Sequence, residues 1–233
     1  GKETVSLEEL STQFSVSMNT IRRDVMELLS RGNIRKVYGG VSSTLINRPV
    51  GFSVRAQKNS RAKQIIGRLA SQLVSDGASI FLDSGSTTPY ILQHIGEKNG
   101  VTVITHSLTA LYAASSLSNL NIIALGGIYA PATSSFTGIS TLDALSRLSI
   151  QTIFISATGV SIENGLTNST YLEAEIKRSV VQRGNRVVLM ADQSKFGHSA
   201  VISFCPFEQL YAIVTDCLPS EPYLEAIERY GIR

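Results

Sequence analysis

Two groups of residues have the types and spacing to recognise phosphate-bearing partners. Asn19, Thr20, Arg22 and Arg23 place an amide, a hydroxyl and two guanidinium groups close together. At one end of a helix, such groups can bond base edges and backbone phosphates of a duplex. Arg35, Lys36 and Tyr38 follow, two cations and an aromatic ahead of Gly39-Gly40. The second group is Asp83-Ser84-Gly85-Ser86-Thr87-Thr88, with Pro89 next. Small hydroxyl residues around a glycine at a helix start present amides and hydroxyls to an anion. Pro89 suits the first helical position.

The first group needs a helix to carry it. Ser6 and Glu9 have capping-box spacing, and Leu7, Leu10 and Phe14 then share one helical face. Ser15-Val16-Ser17 reads as a turn, with Ser17 capping a second helix. In that helix Ile21, Val25, Leu28 and Leu29 face a core, while Asn19, Arg22, Arg23 and Met26 point away. A pair of this kind is either two ordinary packed helices or a helix-turn-helix whose second helix enters the major groove. Gly32 stops the helix, and residues 33–38 read as a strand of a basic wing. Between residues 18 and 48, Arg22, Arg23, Arg31, Arg35, Lys36 and Arg48 outnumber Asp24 and Glu27. That local excess favours a duplex more than the net charge of +3 does.

The chain of 233 residues is long enough for a second domain behind such a unit. Residues 42–58 are polar, broken by Pro49 and Gly51, and lack an apolar period. From Ser60 onward the pattern changes. Ile65, Ile66, Leu69, Ala70 and Leu73 form a helical stripe. Apolar runs at 79–82, 101–105, 121–125, 152–157, 186–191 and 210–215 alternate with helical stretches at 89–95, 108–117, 140–148 and 170–183, and 219–230 closes the chain. This is the pattern of a mostly parallel α/β sheet covered on both faces. No apolar run approaches the roughly 20 residues that span a bilayer. Cys205 and Cys217, without CxxC spacing, and three scattered histidines indicate neither a disulfide framework nor a metal site. A cytoplasmic protein without cofactor is expected.

Ligands of open α/β sheets bind beyond the carboxyl ends of the strands. Here those ends are residues 83–88, Thr105-His106-Ser107, Gly126-Gly127, Ala157-Thr158-Gly159-Val160 with Gly165-Leu166-Thr167, and Asp192-Gln193-Ser194-Lys195-Phe196. Any one of these also suits an ordinary polar loop.

Val16-Ser17, Thr20-Ile21-Arg22-Arg23-Asp24, Arg35 and Gly39-Gly40 resemble the signature of the DeoR family of bacterial transcriptional regulators. The strand-end sequences, with Gly126-Gly127, Gly159, Thr167 and Glu173, resemble that family's effector domain, whose fold is similar to ribose-5-phosphate isomerase and glucosamine-6-phosphate deaminase. The resemblance implies a winged helix-turn-helix at 1–48, a linker at 49–58 and a sugar-phosphate-binding and oligomerisation domain at 59–233. It implies that Ser84, Gly85, Ser86, Thr87 and Thr88 hold a phosphate, while Asp83, Thr105, Glu173, Asp192 and Lys195 reach the sugar or organise the pocket. Ser17, Asn19, Thr20, Arg22, Arg23, Arg35, Lys36 and Tyr38 would meet operator DNA, and the chain would act as a dimer or tetramer. Tyr38 and His106 stand where the family commonly has histidine and asparagine. The family also has a helix ahead of Ser6, so a truncated start is expected. The competing reading is a sugar-phosphate isomerase or deaminase, for which Asp83, Glu173 or Asp192 with Lys195 have the needed types. A DNA-reading unit gives a sensor an output and an enzyme none.

Overall fold

The computed structural model describes residues 5–30, 34–43 and 51–233, without the Arg35 side chain. They form two compact units, one ending at Val50 and one running from Gly51 to Arg233.

The smaller unit holds α1 (Leu7–Phe14), α2 (Met18–Ser30), β1 (Ile34–Val37) and β2 (Gly40–Ser43). The capping box forms in both directions: Glu9 N–H donates to Ser6 Oγ at 3.1 Å and Ser6 N–H to Glu9 Oε2 at 2.9 Å. Ser15 turns the chain with φ of 55°, and Ser17 Oγ accepts the Thr20 N–H at 3.2 Å. Ile21, Val25 and Val41 are buried, with Leu7, Leu10, Leu29 and Ile34 packed on them. Two residues expected in this core lie outside it. Phe14 is 62% exposed and Leu28 38% exposed. Phe14 is the last residue of α1, and Leu28 lies beside, not within, the i, i+4 row of Ile21, Val25 and Leu29. The strands form an antiparallel hairpin turning at Gly39, whose φ of 86° suits glycine.

The larger unit follows with α3 (Phe52–Gln57), α4 (Ser60–Ser71), β3 (Ser79–Leu82), β4 (Thr102–Thr105), α5 (Leu108–Ala114), β5 (Asn121–Ala124), β6 (Ile128–Ala130) and β7 (Ser135–Thr137). Then come α6 (Ile139–Ser146), β8 (Ile150–Ile155), β9 (Gly159–Ser161), β10 (Gly165–Asn168), α7 (Tyr171–Val181), β11 (Gly184–Met190), β12 (Ile202–Cys205), β13 (Ala212–Val214) and α8 (Glu221–Tyr230). Six strands pair in parallel in the order β13-β11-β8-β3-β4-β5. Alternation divides them between two cores. Ile80, Leu82, Val103, Phe154 and Val188 pack with Ile66 and Ile91 on one face. Phe81, Ile104, Ile153, Ile155 and Leu189 pack with Leu145 and Val180 on the other.

Three features depart from the sequence pattern. Residues 52–57, expected as linker, form α3, too short for an apolar period to show; Phe52 N–H donates to the Ala132 carbonyl at 3.1 Å. The segment expected as a helix at 89–95 is a 3-10 helix, Thr88–His94, whose Tyr90 backbone packs against Gly67 of α4. The hairpin β6–β7 and the antiparallel sheet β12-β10-β9 consist of strands of only three or four residues, all but β6 containing glycine, serine or threonine.

A Cβ on Gly67 would lie 2.6 Å from the Tyr90 carbonyl carbon. Glycine to alanine inside a helix normally gains about 1 kcal/mol. Here overpacking against backbone, costing about 1–3 kcal/mol, reverses the sign. Gly67→Ala is expected to lower the chemical-denaturation stability of the larger unit.

Candidate functional site

The buried carboxylate of Asp83 sits where β3 ends. Its Oδ2 accepts from Lys177 Nζ at 2.7 Å, Ser156 Oγ at 2.7 Å, Ser156 N–H at 3.1 Å and Gly85 N–H at 3.2 Å. Lys177 also donates to the Ser156 carbonyl at 2.6 Å and lies over the Phe204 ring. Burial by itself would raise the Asp83 pKa, but Lys177 and the neighbouring His106 outweigh it and hold the carboxyl well below the usual range. A side chain at Gly85 would collide with Ser156, so glycine is required for this fold of the loop.

His106 Nδ1–H donates to the Phe136 carbonyl at 2.9 Å, and its ring stacks on Phe81. Its Nε2 lies 3.9 Å from Asp83 Oδ1, and both atoms are buried without a hydrogen-bond partner. Glu173, in the first turn of α7, accepts from Ser84 Oγ at 3.1 Å, Asn168 Nδ2 at 3.1 Å and Thr170 Oγ1 at 2.7 Å.

Several hydroxyls expected to face a ligand are committed to the fold. Thr88 Oγ1 donates to the Asp83 carbonyl at 2.6 Å and is near the Gly85 carbonyl. Thr105 Oγ1 donates to the Leu82 carbonyl at 2.6 Å and accepts the Ser107 N–H. Thr167 Oγ1 donates to the Gly159 carbonyl and accepts the Ala200 N–H at 2.7 Å. Gly159 itself is packed against the His198 backbone. Gly126 and Gly127 are exposed; Thr141 Oγ1 donates to the Gly126 carbonyl, and Gly127 lets the chain pass close to Thr137 and Thr141. What remains in the loop is Ser86 and Thr87, whose N–H and hydroxyl groups make no hydrogen bond among the described residues.

A second cluster lies where β11 ends and α4 begins. Asp192 Oδ1 accepts from Asn59 Nδ2 at 3.1 Å and from the Ser194 N–H and hydroxyl. Burial raises the Asp192 pKa; the Ser194 hydroxyl and Lys195 outweigh this, and the net direction is down. Lys63 is buried, donating to the carbonyls of Arg55 and Ala56. Burial first, then the charges of Lys195 and Arg55, push its pKa down to about 8 against the pull of Asp192. Burial likewise lowers Lys195, with Arg55 and Lys58 adding to it and Asp192 opposing.

Lys63, Ser156, Asn168, Thr170 and Lys177 were not apparent from the sequence. The available signal was a lysine on an apolar helical face: Lys63 beside Ile66, Gly67 and Ala70, and Lys177 beside Ile176, Val180 and Val181.

In the smaller unit, Ser17, Asn19, Arg22, Arg23, Lys36 and Tyr38 are exposed, and Thr20 is half-buried. The Arg35 side chain lies outside the described residues, although its backbone is in β1.

Comparison with known proteins adds to this geometry. Residues 1–45 match the DeoR-like helix-turn-helix domain, and residues 58–217 match the DeoR C terminal sensor domain. The chain belongs to the DeoR family of transcriptional regulators. It is 40% identical to the HTH-type transcriptional regulator IolR of Bacillus subtilis (strain 168), over 98% of this chain and 91% of that protein. It is 26% identical to the glycerol-3-phosphate regulon repressor of Escherichia coli (strain K12), over 98% of this chain and 91% of that protein. Among solved structures, ribose 5-phosphate isomerase A from Methanocaldococcus jannaschii aligns at a TM-score of 0.45 and 21% identity, over 60% of this chain and 55% of that one. In this DeoR-family chain the sensor match spans both polar clusters, and the helix-turn-helix match spans α1, α2 and the β1–β2 hairpin.

Removing one partner of a buried pair strands the other charge, at a cost of about 3–5 kcal/mol. Lys177→Met is therefore expected to destabilise the sensor domain by that order. Adding Asp83→Asn should recover part of the loss, measured by urea unfolding of both variants. Because the folded Asp83 pKa is depressed, its contribution is present above the unfolded value near 3.9 and is lost as pH falls below about 4.

Proposed function

We propose that this regulator is a repressor that binds operator DNA through α2 and the β1–β2 wing, and that a phosphorylated sugar or polyol controls it. Asn19, Arg22 and Arg23, exposed on α2, are the groups that meet base edges and nearby phosphates, with Thr20 beside them. Ser17 caps that helix, while Arg35, Lys36 and Tyr38 on the wing follow the backbone. One such unit covers a short half-site, so two copies on a symmetric operator supply the affinity. The name of the glycerol-3-phosphate regulon repressor, a relative along nearly the whole chain, speaks for an effector of this class.

One observation carries the sensor reading. At the carboxyl edge of the sheet, the uncommitted groups of Ser86 and Thr87 share that edge with the Lys63 and Lys195 cations around Asp192. The helix behind the loop contributes little, being a 3-10 helix of seven residues. The phosphate is held by amides, hydroxyls and the lysines. Asp83 and Glu173 keep the loop in shape. Asp83, ionised and bonded on Oδ2 by four donors, is a poor general base near neutral pH. That argues against Asp83 as the proton-moving base of an isomerase.

Thermal-shift titration tests the effector site with ribose 5-phosphate, glucose 6-phosphate, glycerol 3-phosphate and their unphosphorylated counterparts. The phosphorylated member alone is expected to stabilise the chain, and Thr87→Val or Lys195→Ala to weaken binding about tenfold or more. Equal binding of the unphosphorylated compound, or steady turnover of the phosphorylated one, overturns the reading. Bound phosphate raises the Lys63 pKa, so affinity should fall as pH rises through about 8. Stability without ligand should change oppositely. The unfolded lysine, with a pKa near 10.4, holds its proton where the folded one does not, so stability rises from about pH 8 to 10.

On the DNA side, Lys36→Ala should weaken binding to all sequences and reduce the salt slope by about one. Arg22→Ala and Arg23→Ala should each weaken binding to the cognate site. If neither does, α2 is not the recognition helix.

A further inference from the structure

The larger unit begins at Gly51 and α3 at Phe52, so the chain that leaves the helix-turn-helix unit enters the sensor domain through this helix. α3 is six residues long and buries no side chain. A helix so short has little stability of its own and depends on what holds it. Its ties include the Phe52 N–H on the Ala132 carbonyl. Two more end in the cluster around Asp192.

The first of these is Lys63. Its side chain is buried, and its ammonium donates to the carbonyls of Arg55 and Ala56, near the C-terminal end of α3. An ammonium has three N–H donors, so two are used on α3 and one is left for the cluster. The second is Asn59, at the joint between α3 and α4. Its φ of 55° lies in the left-handed region, which asparagine tolerates better than most residues. At a helix start an asparagine side chain usually accepts a helix amide. Here no such cap forms, and Asn59 Nδ2 donates instead to Asp192 Oδ1 at 3.1 Å.

The charges around these ties are unbalanced. Burial does most to lower the pKa of Lys63 and Lys195; Arg55 lowers both further and Lys58 lowers Lys195, against the pull of Asp192. Arg55 lies in α3 and Lys58 is its C-terminal cap. The cations of α3 and those of the cluster therefore repel one another. A phosphate group carries a charge of about −1.5 to −2 near neutral pH. Placed among these cations, it draws both sets toward itself and offsets the repulsion between them.

We propose that α3 is a strap fastened through the effector cluster: a phosphate held by Lys63 and Lys195 tightens α3 onto the sensor domain, and its departure loosens the helix. The strap depends on that cluster being the phosphate site, as read above, and adds a route by which occupancy reaches the chain leading to the DNA-binding unit. A ligand regulates only through states that it binds unequally. Fastened and loosened α3 are two such states, because the ammonium that ties the helix is the one that meets the phosphate.

Hydrogen–deuterium exchange on the full chain tests the strap, in millimolar inorganic phosphate against chloride at equal ionic strength. Exchange at residues 52–58 is expected to slow about fivefold or more in phosphate, together with residues 84–88, while α8 stays unchanged. Lys63→Met should abolish the slowing at 52–58. Asn59→Gly keeps the left-handed backbone but removes the tie to Asp192, and should speed exchange at 52–58 in chloride. It serves as a separate variant should Lys63→Met fold poorly. Slowing at 84–88 without slowing at 52–58 overturns the strap and leaves the phosphate reading standing. Slowing at neither overturns both. Equal slowing in α8 marks general stabilisation by the salt, and overturns the strap. So does full slowing of 52–58 in Lys63→Met, or unchanged exchange there in Asn59→Gly.

Discussion

The ion pair of Asp83 with Lys177 is the constraint on which the loop at the end of β3 is built. It joins the end of β3 to α7 and, through Ser156, to the end of β8. Two charges removed from water are costly unless most of their remaining bonding capacity is met, as it is here at Oδ2 though not at Oδ1. Ser156 and the Gly85 amide do this for Oδ2, and the Ser156 carbonyl does it for the ammonium. Gly85 has no side chain because Ser156 occupies its space. The path of the loop, the partial exposure of Ser86 and the inward turn of Thr88 all follow from that anchoring.

The same logic separates polar groups that shape the site from those left to bind. Thr88, Thr105 and Thr167 are buried, and each hydroxyl is used on a carbonyl. Glu173 is saturated by Ser84, Asn168 and Thr170. Such groups set where the loop lies. A ligand must find its partners among those with bonds still to make.

Much of this was legible in the sequence. The six parallel strands announce themselves because buried parallel strands are continuous apolar runs, as in Ile80-Phe81-Leu82 and Ile153-Phe154-Ile155. The capping box at Ser6 and Glu9 could be read because its partners are three residues apart. Lys177 could not, because its partner is 94 positions away and a lysine in a helix reads as solvent-facing. The antiparallel strands β6, β7, β9, β10 and β12, at three or four residues each, are too short for a period-2 pattern to emerge. Sequence also assigns hydroxyls by type alone, and so could not separate Thr87 from Thr88, which face different surroundings.

The central placement of β3 has a consequence for how the chain is made. One neighbour, β4, leaves the ribosome soon after it, but the other, β8, comes only after β5, the hairpin and α6. Until then the apolar edge of β3 is open and Asp83 is a solvated carboxylate with no lysine to meet. Closing so long a loop is entropically costly before its contacts form. The loop at residues 83–88 therefore lacks its Ser156 and Lys177 anchors until β8 and α7 have been synthesised.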